Sequence, residues 1–94
     1  MEERYRKDIY QIGTKWAQTR LQELGQFSAD YERFKEWMLK VMEMEDFILE
    51  TTSVPVRIYN QYKRYPKEAR SAFMAGVWDA LHGNMDDSLP VVTL

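Results

Sequence analysis

The apolar residues of this chain recur at intervals of three and four, the period of a helix and not of a strand. The strongest run extends from Ser28 to about Thr51. Wound at about 100° per residue, it places Tyr31, Phe34, Trp37, Met38, Val41, Met42, Met44 and Ile48 on one broad stripe that predicts a core-facing side. The opposite side collects Glu32, Glu36, Glu43, Asp46 and Glu50 within roughly a quarter of the circumference. Leu39 and Phe47 fall inside that acidic arc, where packing on the core side cannot explain them, and they mark a contact surface. Glu45 interrupts the apolar stripe, so a salt-bridge partner or a bend is expected there.

Ahead of this run, Glu2 to about Leu24 reads as a first helix, with Gly25 where a left-handed cap would stand. Its apolar residues form two strips. Tyr5, Ile9, Ile12 and Trp16 make one, while Tyr10, Ala17, Leu21 and Leu24 make the other, so two packing partners are expected. One of those partners is left open as a second copy of the chain, in a homodimer. Gly13 lies between the strips, where the missing side chain predicts a close backbone approach despite a helix cost of about 1 kcal/mol. Gly25 to Phe27 is a short connection and Ser28 a suitable cap, with Asp30 in the first turn. Together these predict an antiparallel hairpin.

Two shorter helices follow. The first, about Val54 to Arg64, is introduced by Ser53 as cap and Pro55 in its first turn. It sets Ile58, Tyr59, Tyr62 and Tyr65 on one side and Arg57, Lys63 and Arg64 around the other. Pro66 then opens a last helix running to His82 and stopped by Gly83 and Asn84. Ala69, Ala72, Gly76 and Ala80 form a ridge of small residues on it, which predicts tight docking with the small side inward. Residues 85–94 lack a helical period and contain Pro90, and read as a loose tail beside one helical domain over 1–84.

The fold class expected is therefore all-α: a small bundle of one long hairpin and two shorter helices. Composition fits a single domain, with 94 residues, 45% of them hydrophobic, and a formal charge of −2 that gives no global affinity for polyanions. The absence of cysteine removes disulfides, thiolate metal sites and a cysteine nucleophile. No stretch approaches about 18 consecutive apolar residues, and the start lacks the apolar run of a signal peptide, so a cytoplasmic protein without a membrane span is expected.

Catalytic equipment is thin. The single histidine, His82, follows Asp79 by one turn and suits a helix C-terminus better than acid–base work. There is no glycine-flanked serine elbow and no phosphate-binding glycine loop. Glu43, Asp46 and Glu50 are spaced one turn apart and resemble half of the metal motif of helical nucleotide pyrophosphohydrolases of the MazG type. That resemblance would imply a divalent ion, but the paired glutamates expected upstream are missing: Glu32 and Glu36 stand too near on the same helix. No cofactor, no metal and no enzymatic activity are expected.

The functional expectation is binding. The face of Glu32, Glu36, Leu39, Glu43, Asp46, Phe47 and Glu50 suits another protein with a basic surface, including a groove that normally holds nucleic acid. Small regulators and counter-defence inhibitors of phages and mobile elements are built on this scale. The alternative lies in the basic, tyrosine-rich segment of Arg57, Tyr59, Lys63, Arg64, Lys67 and Arg70, whose cations and rings match phosphate contact with base stacking.

Overall fold

The computed structural model of the chain describes residues 1–27, 29–44 and 54–83. Within them are the helices α1 (Glu3–Thr19), α2 (Leu21–Leu24), α3 (Tyr31–Met44), α4 (Val56–Arg64) and α5 (Pro66–Leu81), with a 3-10 turn over Gly25–Phe27. The protein is a small all-α bundle, as the periodicity predicts.

Its closest pairing is α1 against α5. The reason is a reciprocal pair of glycines. A Cβ added to Gly13 would overlap the carbonyl oxygen of Phe73 and sit 3.2 Å from its carbonyl carbon. One added to Gly76 would overlap the carbonyl oxygen of Tyr10 and lie 3.2 Å from the backbone nitrogen of Thr14. Each helix thus supplies a missing side chain where the other's backbone arrives, and the axes approach more closely than side chains would permit. Ala69 and Ala72 are buried beside Gly76, so the small ridge does face inward. Around the crossing, Trp16 meets Phe73 at a centroid distance of 5.6 Å, and the Tyr10 hydroxyl donates to Asp79 Oδ2 at 2.7 Å.

The core extends outward from this crossing. Ile9 and Ala17 of α1, Leu24 of α2, Phe34, Met38 and Met42 of α3, Ile58 of α4 and Val77 of α5 are all essentially inaccessible. Burial of each large aliphatic or aromatic side chain among them stabilises the fold by about 1.5–3 kcal/mol. Phe27 is buried against α3, with its ring 5.2 Å from Trp37 and 6.3 Å from Phe34.

Several local expectations are corrected. The first helix stops at Thr19, because Arg20 leaves helical geometry at φ −120° and ψ 21°. The Thr19 hydroxyl donates to the Trp16 carbonyl at 2.7 Å and so competes for a last-turn acceptor. The break redirects the chain: Leu24 reaches the core while Leu21, assigned to the same strip, is 51% exposed. Gly25 is right-handed, at φ −55° and ψ −28°, and not the left-handed cap expected. The left-handed glycine is Gly83, at φ +69°, which follows α5 as predicted.

The first and second helices are connected through α2 and the 3-10 turn, and the main partner of α1 is α5 rather than α3. Ser28, the expected cap of the second helix, lies outside the described residues. Asp30 performs that role, accepting the Arg33 backbone N–H on its carboxylate at 3.1 Å just before Tyr31 opens α3. Tyr31, placed on the core stripe by periodicity, is 44% exposed, because it sits at the margin of that stripe. Glu45, Ile48 and the rest of the run to Thr51 are outside the described residues, as are Ser53 and the tail over 85–94. Pro55 stands one position ahead of expectation, as the residue preceding α4 in extended geometry. Pro66 opens α5 in its first turn, as expected.

Candidate functional site

The outer side of α3 is set by what its inner side buries. Phe34, Met38 and Met42 anchor the helix to the core, and half-buried Trp37 and Val41 flank them. Helical geometry then turns Glu32, Glu36, Leu39 and Glu43 outward together, and all four are exposed. Leu39 is a large apolar side chain, 38% exposed, on the same side of the helix as these carboxylates, and it also lines a cleft with Lys35 of its own helix. Glu32, Glu36 and Glu43 form no ion pair among the described residues. Asp46, Phe47 and Glu50, which complete the predicted face, lie outside the described residues. So do two members of the Glu43, Asp46 and Glu50 metal spacing. Among the described residues no three acidic or histidine side chains gather in a way that would hold an ion.

The basic segment is divided by the turn at Tyr65. On α4, Arg57, Lys63 and Arg64 are exposed, and Lys63 Nζ stands 5.2 Å from the centre of the Tyr59 ring. Arg64 lies over the Tyr65 ring at 5.5 Å, and Tyr59 and Tyr62 are 6.2 Å apart between centroids. Lys67 and Arg70, on α5, go elsewhere. They face α3 across an open cleft of about 300 Å³, where Lys35 joins them. The sequence pattern gives no sign of this arrangement, since Lys35 and Arg70 stand on helices brought together only by the fold.

Two further polar groups, Asp8 and His82, lie outside both surfaces. Asp8 is buried at 5% exposure, and its Oδ1 has no hydrogen-bond partner among the described residues. Burial pushes its carboxyl above the ordinary range, while the fields of Arg57 and Arg4 pull it back. The available signal is its position one turn before Ile12 on an otherwise apolar strip. His82 uses its Nδ1–H to reach the Trp78 carbonyl at 3.0 Å and packs on the Trp78 ring. Asp79 accepts the Tyr10 hydroxyl instead. His82 therefore does at the end of α5 what a terminal histidine is expected to do, satisfying a last-turn carbonyl.

The two strips of α1 are largely covered within one chain, with Ile9, Ile12, Trp16 and Ala17 all buried; Leu21 is the exposed member. No described helix is long and apolar enough to cross a membrane. Comparison with protein-family models, curated proteins and solved structures finds no match to this chain.

Proposed function

We propose that this chain is a non-enzymatic binding protein that engages a basic surface of another protein through the outer face of α3. The observation that supports the reading is the division of one helix into two faces: Phe34, Met38 and Met42 are buried, while Glu32, Glu36, Leu39 and Glu43 are exposed together on the other side. An apolar anchor beside carboxylates that form no ion pair among the described residues gives a partner both a centre to desolvate and charges that set orientation and speed encounter. In its sharpest form, the target is a basic groove that otherwise holds nucleic acid, and the chain acts as a regulator or inhibitor of that protein, of the kind carried by phages and mobile elements. Asp46, Phe47 and Glu50 extend this face in the sequence.

The test is affinity capture from native lysate treated with nuclease, comparing wild type with a Glu36→Lys/Leu39→Ala variant of unchanged melting temperature. A discrete basic protein retained by wild type and lost with the variant is the expected result. Recovery of the same proteins by both overturns the assignment of the surface.

The second reading, nucleic-acid binding through the α4 part of the basic segment, Arg57, Tyr59, Lys63 and Arg64, is favoured by the Lys63 and Arg64 side chains poised over tyrosine rings, while Lys67 and Arg70 face the cleft instead. It differs in its response to salt, since phosphate contacts by several cations weaken steeply as ionic strength rises.

A further inference from the structure

The cleft between α3 and α5 has a composition unlike the acidic face beside it. Three cations, Lys35, Lys67 and Arg70, line it, and no carboxylate does so among the described residues. Like charges gathered without a counterion raise the local positive potential and disfavour one another. Arg70 adds a second, independent observation. It is half-buried, and its Nε is closed off from solvent without a hydrogen-bond partner among the described residues. A desolvated guanidinium donor left unsatisfied is costly, and such groups in a folded protein call for an explanation. The rest of the lining is largely apolar: buried Met74 and the partly exposed Tyr31 and Leu39. Tyr31 is held in place edge-on to Trp78, with centroids 4.8 Å apart. Ser71 also lines the cleft.

We infer that this cleft is a binding site for a phosphate joined to an aromatic ring, the size of one nucleotide. The phosphate neutralises Lys35, Lys67 and Arg70 and accepts from their charged N–H groups. The ring lies against Tyr31, Leu39 and Met74. A volume of about 300 Å³ falls at the small end of ligand sites, enough for one ring and one phosphate. The same chemistry is offered by a free nucleotide and by one unit of a single strand. The site shares Leu39 with the proposed protein-binding face but uses none of the α3 carboxylates, so Lys35→Gln and Arg70→Gln test it separately from that reading.

The experiment is an amide NMR titration of the full chain with adenosine monophosphate, with adenosine, inorganic phosphate and a short oligothymidylate as parallel probes. Adenosine monophosphate is expected to shift the amides of Lys35, Leu39, Arg70 and Ser71 in a saturable manner. Arg70→Gln and Lys35→Gln should each weaken it about tenfold, the loss of one charge-assisted hydrogen bond. Lys35 is exposed, so its variant tests the site without challenging the fold. Adenosine and inorganic phosphate alone should each bind at least about tenfold more weakly, because each lacks half of the contacts. Tighter, salt-sensitive binding of oligothymidylate identifies a strand as the source, and equal or weaker binding identifies a free nucleotide. The proposal is overturned if neither adenosine monophosphate nor oligothymidylate saturates at the cleft. It is also overturned if both variants bind as wild type does, or if inorganic phosphate alone binds as tightly as the nucleotide.

Discussion

Gly13 faces the carbonyl group of Phe73 with no room for a side chain between them, and Gly76 meets the backbone of Tyr10 in the same way from the opposite helix. Elsewhere in a helix, replacement of glycine by alanine is favourable by about 1 kcal/mol. At these two positions the added methyl would strike backbone, which cannot move aside as a flexible side chain can. Gly13→Ala and Gly76→Ala are therefore expected to destabilise the protein by about 1–3 kcal/mol net in urea unfolding. Gly25 is the internal control. It has right-handed geometry and nothing within 4 Å of an added Cβ, so Gly25→Ala should be neutral or stabilising by up to about 1 kcal/mol. Equal behaviour of the three variants would show that α1 and α5 do not cross as described.

Asp8 predicts an unusual pH response. Burial raises its folded pKa above the ordinary 3.8, against the opposing fields of Arg57 and Arg4. The folded state thus holds the proton more tightly than the unfolded one, and ionisation opposes folding at neutral pH. That opposition fades as pH falls through the raised value. Asp8→Asn should melt higher than wild type near neutral pH, with the advantage shrinking on acidification. A lower melting temperature for the variant at neutral pH would mean that the carboxylate is a net stabilising group.

Glu68 should behave in the opposite sense. A hydrogen bond from the Met1 amino group, 3.0 Å away, holds its carboxyl below the ordinary 4.5, with the charge of that amino group and of Arg6 at 3.4 Å adding to the effect. Its contribution to stability is present above the ordinary value and is lost as pH falls through the depressed one. Glu68→Gln is expected to lower the melting temperature at neutral pH, and the difference should vanish in acid and shrink in high salt. A difference that persists through both conditions would point to packing and not charge.

Asp30 accepts the Arg33 N–H at the start of α3. Loss of its bond to the Arg33 N–H in Asp30→Ala should cost about 1 kcal/mol, with Asp30→Ser recovering most of it. If Asp30→Ala melts as wild type does, the helix is capped from another position.

Much of this fold was legible in the sequence, and the parts that were not share a physical cause. Gly13 and the ridge of Ala69, Ala72 and Gly76 could be read because a missing side chain has one main structural use inside a helix, close approach. Phe34, Met38 and Met42 could be read because their spacing repeats over several turns. The break at Arg20 could not, because Leu21 and Leu24 keep the helical period across it and no proline or glycine marks it. The sequence puts Asp30 in a first turn and does not single it out as the cap, because Ser28 two residues earlier offers the same chemistry. The outward turn of Glu32, Glu36, Leu39 and Glu43 followed from one helix alone. The cleft did not, since Lys35 meets Lys67 and Arg70 only through tertiary packing.

The claim that the outer face of α3 is the binding surface is tested most directly by amide hydrogen exchange on the captured complex against the free chain. Protection gained along Glu32, Glu36, Leu39 and Glu43, with α4 unchanged, is the predicted result. Protection gained over Val56 to Arg64 with α3 unaltered would contradict the account and make the basic tyrosine segment the site.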